Sequence, residues 1–238
     1  MLDVERLEAY RGRVQVLRGV SLRVNDGESV VLVGRNGAGK TTTIETIMGI
    51  LPARAGDVNF RGNAITRLPT YRRALLGIGY APEDAGIFPE LTVAENFHIC
   101  EWLAPAGGRE VSRDSAEIET KIFSVFPEVR AFMERRGQNL SGGQKKMVAV
   151  ARAIALSPSI LLLDEPFEGL APVVVTRFIE AVKKIKAMGI SLLIAESNLA
   201  TAVRIADRLY AIDRGEIIFE GGPDSVAQND AVMKTLRG

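Results

Sequence analysis

The chain has 238 residues, 47% hydrophobic and 25% charged, which fits one large globular domain or one domain with a sizeable insertion. Lys and Arg number 30 against 29 Asp and Glu, a formal charge of +1 that argues against a protein built mainly to grip nucleic-acid backbone. The single Cys100 excludes an internal disulfide, argues against a cysteine-based metal site and suits a reducing compartment.

The first residues carry charges where a signal peptide needs an apolar core. No apolar run approaches the ~20 residues that span a bilayer, so any membrane role is expected to run through a partner. Val20, Leu22 and Val24 alternate with Ser21 and Arg23, the period of a half-buried strand. Asn25-Asp26-Gly27 is a turn signal. Ser29 to Val33 is then almost wholly apolar, which predicts a strand buried on both faces, as in a parallel sheet. A glycine-rich break leads into a helix with Ile44, Ile47, Met48 and Leu51 on one face, expected to stop at Pro52.

From about Ala85 to Ala155 no buried parallel strand is evident, and the stretch reads as a helical insertion interrupted by a loop at Ala104-Pro105-Ala106-Gly107-Gly108. Met147, Val150, Ala151 and Ile154 form one helical stripe there. Apolar runs then recur at Ile160–Leu163, Ser191–Ala195 and Leu209–Ile212. Between them lie the helical stripes Val175, Phe178, Ile179, Val182 and Leu199, Ala202, Val203, Ala206. This alternation predicts an α/β sheet with helices packed on it. Asp213-Arg214-Gly215 predicts a hairpin turn. The expected division is a core of residues 1–84 and 156–238 and a helical subdomain of residues 85–155.

Gly34-Arg35-Asn36-Gly37-Ala38-Gly39-Lys40-Thr41 matches the G-x-x-x-x-G-K-[ST] phosphate loop without mismatch, between an expected strand and an expected helix, with Thr42 next in line. Its glycines let consecutive N–H groups turn inward around phosphates, and the helix start adds free amides and a positive dipole end. Lys40 would reach the β- and γ-phosphates, and the Thr41 hydroxyl would ligate Mg²⁺. The motif alone says nucleoside triphosphate and does not separate a kinase, a GTPase, a helicase or a transporter.

Asp164 and Glu165 emerge at the end of the Ile160–Leu163 strand, where α/β sheets place ligands. Asp164 suits the Mg²⁺ shell, and Glu165 suits a base that orients and deprotonates an attacking water.

Leu140-Ser141-Gly142-Gly143-Gln144 precedes a helix, about twenty residues before the strand that ends in Asp164-Glu165-Pro166. With the phosphate loop, this set resembles the ATP-binding cassette (ABC) family over essentially the whole chain. The resemblance implies a P-loop NTPase cassette with a RecA-like core sheet, an N-terminal antiparallel β part and a helical subdomain carrying the signature. It implies ATP and Mg²⁺, and a head-to-tail pair in which Ser141, Gly142, Gly143 and Gln144 serve the partner's ATP. It places Tyr10 where an aromatic ring stacks on adenine, and Phe167 to Pro172 in the segment that crosses to the partner site. Tyr80-Ala81-Pro82-Glu83, Ile87 to Val93, Glu95-Asn96 and Gly169-Leu170-Ala171-Pro172 look like the shorter ATPase of branched-chain amino-acid importers.

That resemblance implies two polytopic permease subunits, a second related ATPase and a separate solute-binding protein. It also implies a seat on the cytoplasmic face of the inner membrane and no nucleic-acid partner. Two departures stand out. Glu83 occupies the place of a glutamine that bridges Mg²⁺, the attacking water and the permease. Ser197 occupies the place of a histidine that contacts the γ-phosphate. Slow hydrolysis at this site is expected, or reliance on a sister ATPase. A soluble, non-transport ABC ATPase and a weakly hydrolysing regulatory subunit are the alternative readings.

Overall fold

The computed structural model describes residues 1–102 and 115–237. The chain opens with β1 (Leu2–Arg11) and β2 (Val14–Val24), then β3 (Ser29–Val33) and helix α1 (Lys40–Met48). β4 (Ala53–Phe60), β5 (Asn63–Ala64), α2 (Thr70–Leu75) and β6 (Ile78–Ala81) follow. A helical stretch holds α3 (Val93–Trp102), α4 (Ser115–Val125), two 3₁₀ turns at Pro127–Phe132 and Gly137–Asn139, and α5 (Gly142–Ala155). Strands and helices then alternate as β7 (Ile160–Asp164), α6 (Pro172–Ala187), β8 (Ser191–Glu196), α7 (Leu199–Ile205), β9 (Arg208–Asp213) and β10 (Glu216–Gly221). Two short helices, α8 (Pro223–Ala227) and α9 (Asp230–Arg237), close the described chain.

Two sheets result. One is antiparallel in the order β2-β1-β4-β5. The other has the order β10-β9-β3-β8-β7-β6, parallel except for β10. The chain leaves β3, runs out to the edge at β6, and returns through β7 and β8 before crossing to β9. The loop after β3 therefore sits at a change of winding direction, where α/β sheets open a crevice at their strand ends.

The central strands are buried on both faces, and their alternate residues feed two different cores. Val30, Leu32, Ile160, Leu162, Leu193 and Ala195 join the antiparallel sheet and α1 in one cluster. Val31, Val33, Leu161, Leu163, Leu192 and Ile194 face the helices, α5 and α6 among them, in the other. That two-sided burial is why these runs read as continuously apolar. Truncating one of them, such as Leu161→Ala, is expected to cost about 2–5 kcal/mol.

α1 ends at Met48, not at Pro52: Gly49 caps it in the left-handed region (φ 73). The buried Arg73 guanidinium donates to the carbonyls of Thr46 and Ile47 at 2.9 and 2.7 Å, satisfying the last turn. Leu51 lies beyond the helix and packs against the core from a loop. The predicted hairpin is present, with Arg214 and Gly215 both at positive φ (46 and 83) between β9 and β10. Among the described residues, residues 85–155 contain helices and no sheet strand. The loop expected at Ala104 to Gly108 lies outside the described residues.

Candidate functional site

The site is built on the loop between β3 and α1. The chain turns there through Gly37 and Gly39, at φ 82 and 114, a region closed to most side chains. Gly34 is held by space: a Cβ there would lie 2.5 Å from the Ile212 carbonyl oxygen. The β9–β10 turn braces the loop from behind. Gly215 N–H donates to the Ala38 carbonyl at 2.9 Å, and Arg18 N–H donates to the Gly215 carbonyl at 2.9 Å. α1 begins at Gly39 without a side-chain cap, so its first amides face whatever lies over the loop.

Over the loop lies a cavity of about 450 Å³ lined by Asn36, Gly37, Gly39, Lys40, Thr41 and Thr42. Arg11 and Val16 also line it, as do Glu83, Glu165 and Glu168. The remaining loop residues support the cavity without lining it. The carbonyls of Gly34 and Arg35 accept from the buried Lys40 ammonium at 2.8 and 3.1 Å, and Ala38 packs in the core.

Two contacts join the loop to the end of β7. Lys40 Nζ lies 2.9 Å from Glu165 Oε1, with both side chains about 95% buried. The Thr41 hydroxyl donates to Asp164 Oδ1 at 3.1 Å. Residues 123 positions apart are thus brought together by the parallel packing of β3, β8 and β7. Glu165 adopts φ 46, left-handed for a residue with a side chain. Its N–H donates to the Ala195 carbonyl at 3.0 Å, and its own carbonyl accepts from Lys146 Nζ at 2.5 Å. Its second carboxylate oxygen accepts from Ser197 N–H and Oγ–H at 3.1 and 3.2 Å.

Acid crowding shapes the electrostatics. Burial pushes the Asp164 carboxyl up to about 6; Glu165 and Glu83 add to this and the Thr41 hydroxyl opposes it. Desolvation and the neighbouring Glu168 and Glu165 raise Glu83. Burial pushes Glu196, at the end of β8, up to about 7. Lys146 is the opposite case: burial lowers its pKa against the pull of Glu168, Glu83, Glu165 and Glu196.

The donor set suits Mg²⁺. Asp164 Oδ2 is buried without a hydrogen-bond partner, beside the Thr41 hydroxyl, and both are hard oxygen donors. Among the described residues no group of three or more His, Cys, Asp or Glu forms a metal cage. That fits a cation that takes one or two protein oxygens and completes its shell with waters and substrate phosphates. Glu83, the third expected ligand, shares the cavity wall with Thr41 and Glu165.

Tyr10 lies apart from the phosphate-loop cavity. It lines a separate cavity with Gly12, Arg13, Pro52, Ala53 and Arg54. Its neighbour Arg11 faces the phosphate loop instead, donating to Thr42 Oγ1 at 3.3 Å and pairing with Glu45. The reason is the two-residue period of a strand: adjacent side chains leave by opposite faces. The signature is also apart from the loop, since none of Ser141, Gly142, Gly143 and Gln144 lines the phosphate-loop cavity. Ser141 and Gln144 form a capping box at the start of α5, which leaves the amides of Gly142 and Gly143 outside it. Arg11, Glu168, Lys146 and Glu196 were not singled out from the sequence. Arg11, Glu168 and Glu196 each adjoin a residue or segment that the sequence marks, and Lys146 lies two residues beyond Gln144.

A phosphate loop between a buried strand and a helix, bonded to a carboxylate at a neighbouring strand's end, defines a P-loop nucleotide-binding cassette. The sequence model of the ABC transporter family matches residues 17–168, and the chain belongs to that family. It is 32% identical over 239 residues to the high-affinity branched-chain amino acid transport ATP-binding protein BraG of Pseudomonas aeruginosa, covering all of both chains. It is 36% identical over 231 residues to the lipopolysaccharide export system ATP-binding protein LptB of Escherichia coli, covering 97% of this chain and 94% of LptB. Among solved structures it resembles the ADP conformation of MJ1267, an ATP-binding cassette of an ABC transporter. The TM-score is 0.84 at 30% identity, covering 100% of this chain and 98% of the other. The chain is therefore an ABC ATPase subunit of a transporter that binds ATP with Mg²⁺ and hydrolyses it. Such cassettes pair and associate with membrane permease subunits. No helix among the described residues is long and apolar enough to cross a membrane.

Proposed function

We propose that this chain powers a membrane importer from the cytoplasmic face of the inner membrane, driving uptake of branched-chain amino acids or related small carboxylate-bearing solutes. The observation that carries the site assignment is the joining of Lys40 to Glu165 and of Thr41 to Asp164 across one cavity. End-to-end similarity to BraG and the sequence around Tyr80–Glu83 and Gly169–Pro172 support the importer reading. The partners are two polytopic permeases, a second ATPase of the same kind and a solute-binding protein acting through the permease. The subdomain of residues 85–155, helical among the described residues, faces the permease in this reading.

In this reading the Lys40–Glu165 pair holds the site ready before nucleotide arrives. Lys40 moves its charge to the β- and γ-phosphates, and the carboxylate of Glu165 is released toward the attacking water. The amides of Gly37, Gly39, Lys40 and Thr41 enclose the phosphates. Thr41 and Asp164, with Glu83 nearby, would hold Mg²⁺, which would supply positive charge against the phosphate oxygens. Glu165 accepts the proton of the water as its oxygen bonds to the γ-phosphorus, and the bond to the bridging oxygen breaks to leave ADP and phosphate. Ser141, Gly142 and Gly143 close over the partner's ATP.

Comparable similarity to LptB favours a second reading, in which the same motor drives export of a lipid-linked substrate. Co-purification from mild detergent separates the two. Two polytopic permeases, a second ATPase and solute uptake that responds to a binding protein establish import. Permeases that extract lipid establish export, and a preparation without membrane subunits overturns both.

A further inference from the structure

We propose that Lys146 is a positioning residue for hydrolysis: from the signature helix it holds the main chain of Glu165 and supplies positive charge that Ser197 lacks. The inference rests on the reading of Glu165 as base. Three observations carry it.

First, Glu165 sits at φ 46, a backbone state disfavoured for a residue with a side chain. Such a state persists when its main-chain groups are held on both sides. The Ala195 carbonyl holds the N–H at 3.0 Å, and Lys146 Nζ holds the carbonyl at 2.5 Å.

Second, Lys146 is the cation among the described residues lining a second cavity of about 510 Å³, beside Glu45, Glu83, Asp84, Asp164 and Glu168. That cavity shares Thr41, Glu83 and Glu168 with the phosphate-loop cavity. Carboxylates this close repel one another and the incoming triphosphate unless a cation lies among them. Lys40 is already engaged with Glu165 and the loop carbonyls.

Third, Lys146 leaves α5 about one turn after Gly142 and Gly143. The helix that presents the signature thus also holds this chain's own base. A shift of α5 when the partner's ATP engages the signature would be felt at the Glu165 carbonyl.

The test compares Lys146→Met, Lys146→Gln and Lys146→Arg in the purified assembled transporter, with ATP affinity, turnover and thermal unfolding measured in each. The proposal expects the two neutral variants to lose turnover by roughly ten- to a hundred-fold with ATP affinity kept within about twofold. It expects Lys146→Arg to stay within about threefold of the parent, because charge and reach are conserved. Unchanged turnover in a neutral variant overturns it. So does an arginine variant as slow as the methionine variant at equal thermal stability. If Lys146→Met does not fold, Lys146→Gln, which keeps a donor on a polar stem, decides by the same criteria. Glu165→Gln is run alongside: retained turnover there removes Glu165 as base, whereas failure of the Lys146 series alone removes only this inference.

Discussion

The hydroxyl and the main-chain N–H of Ser197 converge on one carboxylate oxygen of Glu165, at 3.2 and 3.1 Å, while Lys40 meets the other at 2.9 Å. Ser197, expected from the family resemblance to take the place of a histidine, is therefore a clamp on the carboxylate. Ser197→Ala removes one of its two donors, worth about 1 kcal/mol, and turnover should fall by less than about tenfold. Ser197→His restores a ring that reaches further and carries a proton, and should raise turnover of the assembled transporter. Phosphate release by the complex checks both. A slower histidine variant with intact ATP binding would mean that the clamp matters more than the missing imidazole.

Glu165→Gln keeps the size of the side chain and its contact with Ser197 but removes the basic oxygen. ATP binding should persist while turnover drops by about 10²–10⁴-fold. Single-turnover measurements with pre-bound ATP isolate the chemical step. Turnover above a tenth of the parent's would assign the base elsewhere.

Lys40→Met acts twice. It removes the phosphate contact and leaves Glu165 buried without its ion-pair partner, which costs about 3–5 kcal/mol where the charge persists. The variant should unfold at lower temperature than the parent and show no stabilisation by Mg²⁺ and ATP. Thermal unfolding with and without nucleotide reads both effects. A normal nucleotide-dependent shift would remove Lys40 from the phosphate site.

Glu196 gives a pH dependence of definite sign. Its carboxyl is raised from 4.5 to about 7, chiefly by burial, among Glu165, Lys40, the Ser197 amide and the Asn198 amide; the charge of Lys146 also reaches it. Between those values the folded chain holds the proton more tightly than the unfolded chain. Stability from this group is therefore present at the acid end, falls as pH rises through the window, and is lost above it. The loss is at most about 3 kcal/mol. Glu196→Gln has no such proton. Urea unfolding at about pH 5 and about pH 8 should show a smaller fall in the variant than in the parent, the remainder coming from groups such as Asp164. Equal falls would mean that Glu196 is charged in the folded chain throughout.

What the sequence disclosed is what is written locally. The phosphate loop is legible because its glycine spacing and the helix after it are contiguous. The central strands are legible because burial on both faces makes them apolar without interruption. The ends of elements were less so. Pro52 is the more visible stop, yet Gly49, held against Arg73 from 24 residues further along, ends α1. β4 and β6 carry weak signals: β4 alternates weakly around Gly56, and β6 is a four-residue edge strand containing Gly79. Lys146 and Glu165 are 19 residues apart and meet only through the fold. Which side of β1 faces the phosphate loop was also hidden, because β1 carries an extra residue between Val4 and Leu7, at the positive φ of Arg6, against both β2 and β4. A slip of one residue exchanges the faces of a strand.

That slip yields the last prediction. Arg11, not Tyr10, stands at the mouth of the phosphate-loop cavity, with Val16 beside it. Its guanidinium donates to Thr42 and pairs with Glu45. A planar guanidinium can lie against a purine face or meet a phosphate. Arg11→Ala should therefore weaken ATP binding by about 1–2 kcal/mol, roughly five- to thirtyfold. Tyr10→Ala, which alters the other cavity, should leave affinity within about twofold. Titration of both variants with a fluorescent ATP analogue decides between the two faces. Loss of affinity in Tyr10→Ala with Arg11→Ala unchanged would return the adenine platform to the tyrosine.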